Sequence, residues 1–172
     1  MATVQPLLII GIGNMLRRDD GVGIIFARKL AQHLRSASFR IHEHSGEGTS
    51  LMDLWRGFSR AAVIDAVALG GEPGTLYRFD AGMEKVPSDF FRYSSHAFGL
   101  AEAIELSRAL EILPQRFLVF GIQGKDFSFG FGLSPEVDRA VDYYFPIVLE
   151  QVKEMAANEV VRTAERGGIT HA

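Results

Sequence analysis

Short apolar runs alternate with amphipathic segments along this 172-residue chain, and this alternation constrains its fold more than any other feature. Unbroken apolar runs of this length predict buried strands, whereas apolar residues spaced three and four apart predict helices with one buried face. Strands that alternate with helices are typical of an α/β sandwich with a mostly parallel sheet. Five strands are predicted, over residues 7–12, 39–44, 61–65, 75–80 and 117–122.

Four helices are predicted between and after these strands. Serine and threonine favour the capping position of a helix, and proline fits its first turn, so these residues mark the predicted starts. The predicted first or capping residues are Gly23 for the first helix, Thr49 or Ser50 for the second, Ser94 or Ser95 for the third, and Ser134 before Pro135 for the last.

The length of the chain fits one domain with a sizeable core. Helical periodicity is lost after residue 157, and no internal repeat or linker interrupts the chain before that point. The sequence therefore predicts a single domain over residues 1–157 and a flexible C-terminal tail over residues 158–172.

Charge and cysteine content exclude several classes of function. The net charge is −3 and no basic block is present, which argues against a nucleic-acid partner. The absence of cysteine excludes disulfides, thiolate metal sites and a cysteine nucleophile. The apolar run near the N-terminus is too short to span a membrane and lacks the pattern of a signal peptide. We therefore expect a cytoplasmic protein with neither nucleic acid nor membrane as a partner.

A glycine-rich turn with two carboxylates, residues 11–23 (GIGNMLRRDDGVG), follows the first predicted strand. A nucleotide-binding turn would leave bare backbone amides where Asp19 and Asp20 stand, and Leu16 occupies the place of the third glycine of a dinucleotide turn. A nucleotide-binding module is therefore the weaker interpretation. The carboxylates point to cations or to acid–base chemistry, unless they only complement the dipole of the following helix.

Acidic side chains also follow the second and third strands, at Glu47 and Asp65. The carboxyl ends of parallel strands form the binding edge of such sheets, so these groups are expected to converge there with Asp20. His96, before a predicted helix, adds an imidazole. Two carboxylates and one imidazole suit zinc, nickel or iron and leave coordination positions open. The structural alternatives are a loop-bonded aspartate at Asp65 and a capping or surface histidine at His96.

The chain resembles the hydrogenase maturation endopeptidases, which process the large subunit of nickel–iron hydrogenases. The resemblance runs from about Leu7 to Met155 and is carried by five motifs. These are Gly11–Leu16 with Asp19–Gly23, Val63-Ile64-Asp65-Ala66, Pro73-Gly74-Thr75, His96-Ala97-Phe98-Gly99-Leu100, and Leu118-Val119-Phe120-Gly121-Ile122. The first motif and the histidine motif are the most specific.

The resemblance implies a three-layer α/β/α fold and an endopeptidase that removes the C-terminal extension of a hydrogenase large-subunit precursor after nickel insertion. The three metal-contacting and catalytic positions of the family fall on Asp20, Asp65 and His96. Nickel would be carried by the substrate, and no organic cofactor is expected. Aspartic-type and metal-assisted hydrolysis both stay open, as does the oligomeric state. A nickel-binding maturation chaperone that does not cut its partner is the alternative function.

One loop departs from the family pattern. Many members carry Asp-Gly-Gly-Thr after the second strand, where this chain has Ser45-Gly46-Glu47-Gly48-Thr49. The residues Gly46, Glu47, Gly48 and Thr49 are predicted to bind substrate. Either Glu47 takes over the charged role of the aspartate, or the loop faces a different substrate. The phenylalanine-bearing loops at residues 88–93 and 126–132 are candidate walls for the precursor's C-terminal segment, the alternative being ordinary packing.

Overall fold

The computed structural model of the chain describes residues 5–87, 90 and 97–166, with side chains described as far as residue 158. Five strands form one sheet in the order β2-β1-β3-β5-β4. β2, β1, β3 and β5 are parallel, and β4 runs antiparallel to β5. The strands are β1 (Leu7–Ile12), β2 (Phe39–His44), β3 (Arg60–Val67), β4 (Leu76–Asp80) and β5 (Arg116–Gln123). The predicted α/β fold with a mostly parallel sheet is confirmed.

Helices cover both faces of this sheet, as the three-layer prediction requires. They are α1 (Val22–His33), α2 (Gly48–Trp55), α3 (Leu100–Ala109) and α4 (Pro135–Arg166). α1 and α4 pack on the face that receives Leu7 and Ile9 of β1, whereas α2 and α3 pack on the face that receives Leu8 and Ile10. β1 is therefore buried on both sides, which explains why its sequence is uniformly apolar.

Two glycines let α1 begin in direct contact with the sheet. A Cβ on Gly23 would lie 2.2 Å from the carbonyl oxygen of Ile64, and one on Gly11 would lie 2.3 Å from that of Gly23. Neither position has room for any side chain. The loop between β1 and α1 is consequently held over the carboxyl ends of β1 and β3, where it contains a 3-10 turn, Arg18–Gly21.

A buried aromatic side chain connects α2 and α3 on their face of the sheet. The indole Nε1 of Trp55 donates a hydrogen bond to the Oγ of Ser107 at 3.0 Å, and both residues are fully buried. The bond satisfies the polar atom of a side chain that otherwise contributes apolar contact area. The ring of Trp55 meets Phe117 of β5 edge-on, with the centroids 5.0 Å apart.

Two predicted helix caps are wrong. α2 is capped by Glu47 rather than by Thr49 or Ser50. α3 begins at Leu100 after Gly99, so neither Ser94 nor Ser95, which lie outside the described residues, is its cap.

α4 continues to Arg166, past the boundary predicted at residue 157. The flexibility of residues 158–172 and the domain limits stay predictions. Among the described residues, no helix combines the length and the apolar character that a membrane crossing demands.

Candidate active site

Asp65 lies inside β3, two residues before the strand ends, rather than at its last residue as predicted. The pairing of β1 with β3 stops at Gly11 and Ile64, whereas β5 continues to pair with β3 as far as Val67. Asp65 is therefore flanked by β5 on one side only. On the other side, the 3-10 turn that contains Asp20 contacts β3.

Burial raises the pKa of Asp65 to about 8, and the negative charge of Asp20 adds to this effect. The opposing influence is a hydrogen bond of 2.8 Å that the backbone N–H of Ala66 donates to Oδ1 of Asp65. The residue keeps a partly accessible surface although protein atoms enclose its carboxyl group. The protonated form of Asp65 is therefore favoured near neutral pH, because solvation is poor and a second anion is near.

A carboxyl pair of this kind has two chemical uses. A protonated Asp65 beside an ionised Asp20 can exchange a proton with a bound water or with a leaving group. Alternatively, a divalent cation between the two oxygens replaces the proton, since opposite charge favours the ionised carboxylate. Both uses need the pair to face an incoming molecule, and both residues retain partial exposure.

His96, the third predicted site residue, lies outside the described residues. The segment that follows it is described and is fastened to the loop after β2. The backbone N–H of Gly48 donates a hydrogen bond of 2.9 Å to the carbonyl oxygen of Phe98. Within the described part of the chain, no three His, Cys, Asp or Glu side chains form a group able to hold a metal ion. The structure thus brings Asp20 and Asp65 together, and the role of His96 stays a prediction.

Glu47 acts as the N-cap of α2. Its carboxylate accepts hydrogen bonds from the backbone N–H groups of Thr49 and Ser50, at 2.9 and 2.8 Å. These bonds lower the pKa of Glu47 to about 2, with the Ser50 amide as the largest cause. The negative charge of Glu47 thus interacts with the amides at the N-terminus of α2.

The loop around Glu47 depends on its two glycines. Gly46 has a φ of +94°, which disfavours any side chain, and a Cβ on Gly48 would lie 2.2 Å from the ring of Phe98. The backbone N–H of Gly46 donates to Nδ1 of His44 at 2.9 Å, closing the turn. Substrate binding by Gly46, Glu47, Gly48 and Thr49 stays a prediction.

Asp19 is not a simple helix-start charge, as its position beside Asp20 suggested. It is completely buried and accepts four hydrogen bonds from the loop that joins β5 to α4. The donors are the backbone N–H groups of Lys125, Asp126 and Ser134 and the hydroxyl of Ser134. Sequence reasoning missed this role because its partners lie more than a hundred residues away.

The two phenylalanine-bearing loops have different roles. Phe90 is buried, and its ring meets those of Phe79 and Tyr77 edge-on at 4.3 and 5.6 Å, so it belongs to the core. Residues 88–89 and 91–93 lie outside the described residues. In the second loop, Phe129 and Phe131 are 80% and 77% exposed. Only the second loop therefore offers described aromatic surface to another molecule.

Comparison with known proteins decides the family. The family model described as HycI, hydrogenase maturation protease, matches residues 26–151. The chain belongs to the hydrogenase maturation proteases. The matched stretch contains Asp65 and the position of His96, and it begins after the loop that carries Asp20. The resemblance recognised from the motifs is confirmed, and the chain is accordingly a peptidase by family.

Individual relatives extend the match over most of the chain. It is 28% identical over 158 residues to the hydrogenase expression/formation protein HupD of Thiocapsa roseopersicina, which covers 90% of this chain and 71% of HupD. The [NiFe] hydrogenase maturation protease HybD from Thermococcus kodakarensis aligns with a TM-score of 0.65 at 26% identity, over 86% of this chain and 99% of that one.

A second solved structure supports the fold. The hydrogenase maturating endopeptidase HybD from E. coli aligns with a TM-score of 0.69 at 20% identity, and the alignment covers 88% of this chain and 94% of that one. At this identity the likeness concerns the α/β/α architecture, which agrees with the sheet and helix layers described above.

Proposed function

We propose that this hydrogenase maturation protease removes the C-terminal extension of a nickel–iron hydrogenase large-subunit precursor after nickel has been inserted. The observation that carries the proposal is the contact between the 3-10 turn that contains Asp20 and the strand that contains Asp65, which brings together two positions that the family resemblance assigns to metal contact. The nickel belongs to the substrate, and no organic cofactor takes part. The predicted cytoplasmic location is part of this proposal.

Asp65 would allow the proposed site to discriminate nickel-loaded from nickel-free precursor, because its ionisation is coupled to the binding of a cation. In the free protein, a proton neutralises Asp65 next to the negative charge of Asp20. A precursor that carries Ni²⁺ supplies two positive charges that replace this proton, with His96 as the third ligand. A nickel-free precursor lacks the cation that the two carboxyl groups and the imidazole would bind. The metal therefore acts as a checkpoint, because it alone joins the three side chains to the substrate.

Once the precursor is held, its scissile peptide lies near both carboxylates. Positioning of this kind contributes roughly 7–11 kcal/mol in the best intramolecular reactions. Hydrolysis adds the hydroxyl of water to the peptide carbon and a proton to the leaving nitrogen. In one route, Asp20 or Asp65 takes the proton from the attacking water. In the other, the metal polarises the peptide carbonyl or activates the water. The proposal covers both routes.

The proposal is tested by mixing the purified chain with nickel-loaded and nickel-free precursor and following the precursor by mass spectrometry. Loss of a C-terminal peptide from the loaded precursor alone is the expected result. Stable binding of the loaded precursor without any change of mass would instead support the nickel-binding chaperone.

Single substitutions then test the assigned residues. Asp20→Asn, Asp65→Asn and His96→Ala are each expected to abolish processing while the circular dichroism spectrum stays that of the wild type. Asp53→Asn is the matched control, because Asp53 is an exposed acid on α2 that pairs with Arg56 one turn along the same chain segment. Processing at the wild-type rate by Asp65→Asn would show that the site is wrongly assigned.

A further inference from the structure

The loop between β5 and α4 is attached to the loop between β1 and α1 through one buried side chain. Oδ1 of Asp19 accepts from the backbone N–H of Ser134 at 2.7 Å. Oδ2 accepts from the N–H groups of Lys125 and Asp126 at 2.8 and 2.9 Å and from the Ser134 hydroxyl at 2.9 Å. Asp19 therefore joins the beginning of the β5–α4 loop to its last residue, Ser134.

Backbone contacts continue this attachment on either side of Asp19. The N–H of Asp19 donates to the carbonyl of Asp126 at 3.1 Å, and the N–H of Gly130 donates to the carbonyl of Leu16 at 2.8 Å. The N–H of Arg18 returns a bond of 3.1 Å to the carbonyl of Gly130. The two loops are thus aligned along several residues, with the Asp19 carboxylate at the buried end.

The β5–α4 loop is also hydrogen-bonded to β3, the strand that contains Asp65. The backbone N–H of Gly124 donates a hydrogen bond of 2.9 Å to the carbonyl of Val67, and Val67 pairs with Gln123 in the sheet. A short path of hydrogen bonds therefore leads from Asp19 through the start of the β5–α4 loop to β3, two residues beyond Asp65. Asp20 is the next residue after Asp19.

We propose that Asp19 is a positioning residue of the active site, whose buried carboxylate ties the turn that carries Asp20 to the β5–α4 loop and so fixes Asp20 opposite Asp65. The inference rests on the proposed function, since the separation of Asp20 and Asp65 matters because both contact the substrate. Asp19 itself is fully buried, so its proposed role is to position Asp20 rather than to contact the substrate.

A carboxylate is needed at this position because every partner is a donor. Both oxygens of Asp19 face N–H groups, and an ionised carboxylate can only accept. An asparagine of the same shape would turn its NH₂ group toward at least one backbone N–H, whichever way its amide is placed. The substitution Asp19→Asn is therefore nearly isosteric, yet it replaces a charge-assisted bond by two opposed donors.

The expected result for Asp19→Asn is a kcat about 10²-fold below wild type with little change in KM, because small misplacements of reacting groups reduce the rate rather than substrate binding. Precursor processing is measured at a temperature at which circular dichroism shows the variant to be folded. Lys125→Ala is the matched control: it removes the ion pair with Glu136 but keeps the backbone N–H that Asp19 binds.

A milder pair of variants covers the case in which Asp19→Asn does not fold. Ser134→Ala removes the hydroxyl donor alone, and we expect a smaller decrease in kcat. Ser134→Thr keeps a hydroxyl and should restore the wild-type value. A Ser134→Ala enzyme with wild-type kcat, or a threonine variant no better than alanine, would overturn the inference.

Amide hydrogen exchange separates this inference from the proposed function. The N–H of Asp20 donates to the carbonyl of Arg17 at 3.0 Å inside the 3-10 turn, so its exchange rate reports on the turn. In Asp19→Asn this amide should exchange at least about tenfold faster, while amides of β1 keep their rates. An unchanged Asp20 amide overturns the inference. If the wild-type chain leaves the precursor uncut, the proposed function fails, and the exchange rates alone decide whether Asp19 positions Asp20.

Discussion

The negative charge of Asp20 adds to the effect of burial on Asp65, and together they raise the pKa of Asp65 to about 8. The raised pKa lowers the free energy of unfolding at neutral pH, because the same group ionises near pH 4 in the unfolded chain. Asp65 thus lowers stability to a growing extent as the pH rises from about 4 to about 8. Binding of a cation by the pair would remove this loss of stability.

Asp65 makes stability depend on pH with a definite sign. Between about pH 4 and pH 8 the folded chain retains a proton that the unfolded chain has lost, so the contribution of this group to the free energy of unfolding falls as the pH rises and levels off above pH 8. Asp65→Asn should abolish this component and raise the free energy of unfolding at pH 9 by about 5 kcal/mol, because each pH unit between 4 and 8 corresponds to about 1.4 kcal/mol. Urea denaturation of the metal-free chain between pH 5 and pH 9 provides the measurement.

The control for that series is Asp53→Asn, which changes an exposed acid and should leave the shape of the pH profile unaltered. A profile of Asp65→Asn that runs parallel to that of the wild type would contradict the raised pKa of Asp65.

Asp20→Asn should lower the pKa of Asp65 without returning it to that of a free aspartic acid. The substitution removes the smaller of the two raising effects and leaves burial, the larger one, in place. Carbon-13 NMR titration of the Asp65 carboxyl in the metal-free chain measures the change directly. If the midpoint does not move, the two carboxyl groups do not interact, and the paired site would have to be abandoned.

Glu47→Gln should destabilise the protein at neutral pH and have progressively less effect in acid. The pKa of Glu47 is lowered to about 2, so its contribution is complete above the ordinary glutamate value and is lost as the pH falls toward 2. Thermal unfolding at pH 7 and at pH 3 compares the two conditions. Glu150→Gln, at an exposed position of α4, is the matched control. Equal losses at both values of pH would mean that charge on Glu47 does not matter to the cap.

Phe129→Ala and Phe131→Ala should each raise KM for the precursor by about five- to tenfold and leave kcat and Tm nearly unchanged. Both rings are largely exposed in the free protein, so their removal costs little stability, whereas covering such a ring with substrate contributes on the order of 1–2 kcal/mol. Steady-state kinetics against precursor concentration tests this. Tyr143→Ala, 70% exposed on α4, serves as the comparison, and KM values equal to that of the comparison would exclude the loop as a wall for substrate.

Local pattern was sufficient to predict the sheet. β1, β3 and β5 are apolar runs that are buried as expected, whereas β2 and β4 are partly exposed strands at the two edges of the sheet. Local pattern was also sufficient to bring Asp20 and Asp65 to one edge, since parallel topology dictates where strand ends lie. The cap of α2 was predicted wrongly because Thr49 and Ser50 are the commoner capping types, whereas Glu47 reaches their amides with a longer side chain.

The partners of Asp19 could not have been predicted in this way. Lys125, Asp126 and Ser134 contact it through backbone amides, which carry no sequence signature, and only the Ser134 hydroxyl is specific to a residue type. Two adjacent aspartates look alike in the sequence, yet one is fully buried and the other is partly exposed at the candidate site.

The hydrogen bond between Gly48 and Phe98, together with the aromatic ring that occupies the space above Gly48, bears on how specificity can be exchanged between members of the family. A loop transplanted from another maturation protease into residues 45–49 would meet a foreign surface at residues 97–99. Chimeras in which residues 45–49 and 97–99 are exchanged together should fold. Exchange of one segment alone would produce a steric clash between the two. If residues 45–49 bind substrate as predicted, selectivity for a given hydrogenase depends on both segments together.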